Sequence, residues 1–368
     1  MKFSNKVNLA DLCDDISYGY TESACKDEVG PKFLRITDIS GSRLEWRNVP
    51  YCKISDNNLI KYKLNPGDII IARTGATTGA NYTIKNSDPR NVVFASYLIR
   101  YKINTNVAYP FFIGFVLQSS NWKEYVEAIS GGSAQPGANA KQLGSFEIDL
   151  PPLSEQKAIA SVLSSLDDKI DLLHRQNETL EKMAETLFRK WFVEDAKEDW
   201  EKGLLSELVN IKYGKDHKKL IDGKIPVYGS GGIMRFADRS LYSSESVLIP
   251  RKGSLNNVIY INEPFWTVDT MFYTEMKREN LAKFIYHFIK ELDLVSMNVG
   301  SAVPSMTTEV LNNLEIEIPN DETLEKFENT VNKFYVKQKA NNVQIDLLSK
   351  LRDTLLPKLM SGEVRVKI

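Results

Sequence analysis

The feature that most limits what this 368-residue chain can become is that it repeats itself at the scale of a domain. Gly132-Ser133-Ala134-Gln135-Pro136 returns as Gly300-Ser301-Ala302-Val303-Pro304, an offset of 168 residues. The offset then holds without a gap through Leu143 and Leu311, Glu147-Ile148 and Glu315-Ile316, Pro151 and Pro319, and Thr186-Leu187 and Thr354-Leu355. Upstream the correspondence needs gaps: Tyr18-Gly19 resembles Tyr213-Gly214, and Ile71-Ala72-Arg73-Thr74-Gly75 resembles Ile249-Pro250-Arg251-Lys252-Gly253. A period this long is too large for a solenoid. It defines two tandem copies of one unit, each a divergent globular part followed by a more similar segment.

The similar segments read as long helices. In the first, Ile159, Leu163, Leu166, Ile170, Leu173, Asn177, Leu180, Ala184, Leu187 and Trp191 advance by alternating steps of four and three, the seam of a coiled coil. In the second, Phe327, Val331, Phe334, Gln338, Asn341, Ile345, Leu348, Arg352, Leu355 and Leu359 take the same steps. Pro151-Pro152 bars an earlier start, and Ser154 is the expected N-cap. The second helix is expected to end near Pro357 and Gly362. A core stripe of a globular helix is the commoner source of such spacing, but length and duplication argue against it. One helix over residues 154–192 would be about 58 Å long, so it needs a partner, and its own repeat is the nearest. The polar positions Asn177, Gln338 and Asn341 either fix the register of the pair or mark where the seam opens; both readings stand.

The divergent parts read as mixed α and β. Strands are expected at 68–73, 92–99 and 146–150 with a helix at 110–120, and in the second copy at 246–251, 258–261, 266–273 and 314–318 with a helix at 281–291. The expected fold class is α/β, of the α+β kind: two globular domains in tandem, residues 1–152 and 199–319, joined and separated by two long antiparallel coiled-coil helices. The helices fall in 153–198 and in 320–368, the latter including a C-terminal tail.

Most catalytic signatures are missing. With only Cys13, Cys25 and Cys52, and only His174, His217 and His287, a disulfide framework, a zinc site and a nucleophile–histidine triad all lack material. No phosphate-loop motif occurs, and Gly229-Ser230-Gly231-Gly232 reads as a plain loop. Asp167, Asp168 and Asp171 cluster, but on the helix they read as a solvated face, and Glu198-Asp199-Trp200-Glu201-Lys202 reads as a charged linker. No apolar run approaches 18 residues and the first residues lack the hydrophobic core of a signal peptide, so a reduced, cytoplasmic protein without membrane attachment is expected. With 47 basic and 48 acidic residues, no global positive field draws the chain to nucleic acid. Residues 1–150 hold 17 basic and 15 acidic side chains and residues 199–318 hold 14 and 16, so any such binding uses a local patch or a partner's charge.

Binding features are better supported. Arg73, Thr74, Thr77, Thr78 and Asn81 leave a strand on glycine-rich backbone and offer a guanidinium, hydroxyls and an amide suited to phosphates and base edges. The counterpart Arg251, Lys252, Asn256 and Asn257 has the same mixture in another order. In the two loops of the ungapped repeat, Gln135, Asn139 and Lys141, and Ser305, Thr307 and Thr308, are further candidates. Each loop taken singly can equally be ordinary turn chemistry; their occurrence in matching places favours binding. A protein-binding scaffold with a coiled-coil spacer and a nuclease or methyltransferase with a degenerate motif remain as alternatives.

The run Gly132-Ser133-Ala134-Gln135-Pro136, then Leu143, then Ile148-Asp149-Leu150-Pro151-Pro152-Leu153-Ser154-Glu155-Gln156-Lys157, then a long helix closing on Leu187-Phe188-Arg189-Lys190-Trp191-Phe192, resembles the specificity subunit of type I restriction-modification systems. The second copy repeats the pattern with Pro319 and Leu355-Leu356-Pro357-Lys358-Leu359, departing at Asn320-Asp321-Glu322-Thr323 where the family often has a second Pro and a Glu-Gln pair. The resemblance implies two target-recognition domains, each reading one half of a split site on double-stranded DNA, with helices that set the spacing. It also implies no catalytic activity or cofactor on this chain. S-adenosylmethionine would be bound by two methyltransferase subunits, ATP used by restriction subunits that join through the complex, and magnesium held on the partner subunits.

Overall fold

The structure, a computed structural model, describes residues 6–41, 43–131, 137–197, 200–297 and 305–367. It falls into two units, Met1–Leu173 with Val343–Ile368, and His174–Asn342. Each long helix thus gives half its length to each unit.

In the first unit the run Ile69-Ile70-Ile71 is fully buried, and such a β-branched stretch forms a strand covered on both faces. It lies inside a four-stranded antiparallel sheet in the order Cys13–Tyr18, Leu98–Ile103, Asp68–Ala72, Asn81–Thr83. The second unit builds the same sheet in the same order from Val209–Tyr213, Met271–Met276, Ser246–Pro250 and Ile259–Ile261. Beside each sheet lies a parallel pairing, Lys32–Leu34 with Val92–Phe94, and Asp222–Gly229 with Trp266–Thr267.

Two expected strands are each broken in two. The stretch 92–99 divides into Val92–Phe94 and Leu98–Ile103, and 266–273 into Trp266–Thr267 and Met271–Met276. The cause is a close approach of backbone from far along the chain. Gly19 donates to Leu98 O at 3.2 Å and Gly214 to Met271 O at 3.0 Å. A Cβ on Gly19 would lie 2.2 Å from Ala95 O, and one on Gly214 2.0 Å from Val268 O. Only glycine fits, which explains the repeated Tyr-Gly pair.

Other expectations are also revised. The helix at 110–120 is Pro110–Val116, followed by a second helix, Ser120–Ser130, capped by Ser119. Gly229-Ser230-Gly231-Gly232 is the turn of a hairpin between Asp222–Gly229 and Gly232–Ala237. The charged linker is no linker from Trp200 onward: Trp200 is buried, and Glu201–Leu204 pairs with Glu315–Ile318. Asp167 is bound to Arg352 at 2.9 Å and Asp171 to Lys85 at 3.0 Å, so these two are tied down, whereas Asp168, 3.2 Å from Lys85, stays largely solvated.

The first long helix runs Leu153–Arg189, 37 residues, and passes into a wider π-type turn over Lys190–Glu194. Ser154 lies inside its first turn and is not its cap. Gln156 secures this end instead, donating to Pro151 O at 2.8 Å and accepting from Tyr109 N–H at 2.7 Å. The second runs Asp321–Met360, 40 residues, with Pro357 inside it. It closes on Gly362, whose φ of 70° favours glycine.

Within each unit the helix halves lie antiparallel. In the first, Ile159 and Leu163 join Leu355, Leu356 and Leu359 in a core that includes the central sheet and Trp122. Arg352 meets Asp167, and Ile170 and Leu173 pack with Ile345 and Leu348. In the second, Asn177 meets Asn341, Glu181 meets Gln338, and Phe188 meets Phe327. Ala184, Phe327 and Val331 are buried there with Val247, Phe272 and Phe284, while Leu187 and Phe334 pack at the margin. Leu166 and Leu180 are half-buried. The ends of the seam are therefore parts of domain cores, and only its middle is helix against helix.

Candidate nucleic-acid interface

Each central strand delivers an arginine to the same structural position. Arg73 follows Asp68–Ala72, and Arg251 follows Ser246–Pro250. The Arg73 guanidinium lies over the Tyr18 ring at 5.0 Å, and that of Arg251 over Tyr213 at 5.4 Å. The Arg73 carbonyl accepts from Ala138 N–H, and the Arg251 carbonyl from Met306 N–H, both at 2.9 Å. Thr74 bridges Gly137 and Lys252 bridges Ser305. Gly75 and Gly253, two residues past each arginine, both have φ of 84°. The Tyr18 hydroxyl accepts from Ala140 N–H at 3.1 Å, and the Tyr213 hydroxyl meets Thr308 Oγ1 at 3.4 Å. Tyr101 donates to Ala140 O at 2.9 Å, and burial raises its pKa, keeping it a neutral donor.

These contacts bring together the two loops of each copy that the sequence singled out separately. Arg73, Thr74, Thr77, Thr78, Arg251, Asn257 and Ser305 are half-buried, whereas Lys141, Lys252 and Asn256 are exposed. Gln135 lies outside the described residues.

Five candidates are turned to shaping the loops. Asn139 Oδ1 accepts from Gln142 N–H at 2.9 Å and caps the helix Ala140–Gly144; Thr307 Oγ1 accepts from Val310 N–H at 3.2 Å and caps Thr308–Asn312. Asn81 donates to Leu117 O at 2.5 Å, Asn257 to Ser230 O at 2.8 Å, and Thr78 to Gly75 O at 2.7 Å. Short polar side chains compete for neighbouring backbone groups, and that competition decides their direction here.

Tyr18 and Tyr213 were missed as site residues, although the repeated Tyr-Gly pair was their signal. Also missed is the hairpin Asp222–Ala237, on which Ile233, Met234 and Phe236 are 53%, 58% and 49% exposed. Its turn touches the Arg251 loop through Asn257. A guanidinium over an aromatic ring gains from the ring's electron-rich face, and its unbonded donors suit a planar or anionic acceptor. Among the described residues, no group of three His, Cys, Asp or Glu is placed to hold a metal ion, and no helix is long and apolar enough to cross a membrane.

The family model described as type I restriction modification DNA specificity domain matches residues 4–182 and 197–345. The chain is 27% identical to the type I restriction enzyme MjaIX specificity subunit of Methanocaldococcus jannaschii, over 82% of this chain and 76% of that protein. It is 20% identical to the HindI specificity subunit of Haemophilus influenzae, over 98% and 99%. The crystal structure of a type I restriction-modification S subunit from M. genitalium shares its fold, with a TM-score of 0.62 at 19% identity, covering 99% of this chain and 96% of that one.

Proposed function

The chain belongs to the type I restriction modification DNA specificity family, and from that premise we propose that each of its units reads one half of a bipartite site on double-stranded DNA. The observation that carries this reading is one framework built twice, with an arginine–tyrosine stack and a pair of bridged loops, around content that differs. Readers of one design with unlike loops recognise unlike half-sites. The two long helices set the distance between those half-sites, because a helix converts residue number into length. They also dock two methyltransferase subunits, and restriction subunits join through that complex.

In this division of labour the chain is a non-catalytic cytoplasmic reader. S-adenosylmethionine belongs to the methyltransferase partners, and ATP and magnesium to the partner subunits. The near-neutral net charge supports a reader that shares phosphate contact with those partners rather than binding DNA by its own field.

A mobility-shift assay of the chain with its methyltransferase tests this reading. The probe is the motif that methylome sequencing finds with the gene present and loses when it is deleted. Tight binding to that bipartite duplex, weakening steeply with salt, is the expected result. Equal affinity for a scrambled duplex of the same length would exclude it.

A further inference from the structure

We infer that Arg73 and Arg251 are a matched pair of phosphate contacts: each holds a DNA phosphodiester, and neither reads a base. This rests on the DNA-reading function proposed above. It assigns sequence discrimination to residues the two copies do not share.

Duplication supplies the first argument. The stack on tyrosine, the bridge to the second loop and the glycine two residues later are common to both units. A feature common to two readers acts on what is common to two targets. When half-sites differ in sequence, what they share is the sugar–phosphate backbone.

Charge supplies the second. Partly buried arginines elsewhere in this molecule have carboxylate partners: Arg100 with Asp15 at 2.9 Å, Arg235 with Asp222 at 2.7 Å, Arg352 with Asp167 at 2.9 Å. Among the described residues Arg73 and Arg251 have none. The adjoining segments 132–136 and 298–304 contain no acidic residue. Arg73 Nε is buried without a hydrogen-bond partner, and the Arg251 guanidinium donates to the Asp269 carbonyl at 3.1 Å. A half-buried cation without a counter-ion costs stability, and an arriving anion relieves that cost. Each guanidinium carbon lies over its tyrosine ring, and the charged donors that remain on such a planar fork suit a phosphate oxygen.

The full chain with its co-produced methyltransferase is titrated, from low to moderate salt, with the bipartite duplex and with a scrambled duplex of equal length. Arg73→Ala and Arg251→Ala should each weaken binding about tenfold on both duplexes alike. The slope of log affinity against log salt should become shallower by about one, while the methylated motif stays the same. Arg73→Lys, which keeps the charge, should restore most of the slope, and Arg73→Gln, which keeps a planar donor without charge, should not. Thermal unfolding of each variant confirms that the comparison is made on folded protein. Relaxed preference at one half-site, or an unchanged salt slope in the Ala and Gln variants, would overturn the assignment. If wild-type complex fails to discriminate the two duplexes, the function proposed above fails instead, and the slope on scrambled DNA still reports on the two arginines.

Discussion

His287 illustrates how far a single side chain's chemistry is set by its surroundings. It sits on the helix Ala282–Glu291, 1% exposed, stacked on Phe188 at 5.7 Å, with Nε2 2.9 Å from the Tyr335 hydroxyl. Burial is the main cause that pushes its pKa down to about 4, with Lys290 adding to the shift and Glu181 opposing it. In the unfolded chain the ring takes a proton near its ordinary value of 6.5, so between those limits the unfolded state binds more protons. The stability contributed by the neutral ring is therefore complete above pH 6.5 and is lost as pH falls towards 4, by on the order of 3 kcal/mol. Urea unfolding across this range should show a wild-type decline that His287→Phe, which keeps a ring in the site, largely removes. Parallel pH profiles for the two proteins would refute it.

At the scale of elements, the paired helices are apolar towards their ends and polar midway. Asn341 is fully buried, donates to Asn177 Oδ1 at 2.8 Å, and leaves its own Oδ1 buried without a partner. Gln338 donates to Asn177 O at 3.0 Å, and Asn177 to Asn342 Oδ1 at 2.8 Å. These residues face one another, so of the two readings left open by the sequence, the contacts favour a layer that fixes register. Such layers trade stability for a defined pairing. Asn341→Leu should raise the unfolding free energy by about 1 kcal/mol, read as a higher thermal midpoint. A lower midpoint would mean that the hydrogen bonds outweigh the burial of the orphaned oxygen. Elements with a strong period and proline boundaries, such as these helices, were legible in the sequence, as was the apolar run 69–72 of the buried strand Asp68–Ala72. The hairpin Asp222–Ala237 was not, because Ile233, Met234 and Phe236 are all exposed and leave no alternation to read. The breaks at Ala95 and Val268 were not, because glycines more than 50 residues upstream impose them. The direction of Asn81, Asn139, Asn257 and Thr307 was not, because composition places a polar side chain in a loop without saying which backbone group it will take.

At the scale of the whole molecule, every long-helix half is paired inside a unit, so the two helices cannot be lengthened independently. Adding residues to one alone would slide Asn177 past Asn341 or Ile170 past Ile345, breaking contacts that lie within the units. Adding four residues to both, after Leu173 in the first and after Asn342 in the second, falls at the division between the units and leaves the pairs within each one intact. Four helical residues contribute about 6 Å, and duplex DNA rises about 3.4 Å per base pair. If helix length is what sets the distance between half-sites, the double insertion should preserve both half-site sequences and lengthen the unread spacer by one or two base pairs. The single insertions should abolish methylation. Methylome sequencing of cells carrying each variant reads the outcome directly, and a double insertion that methylates the original spacer would show that something other than the helices measures the gap.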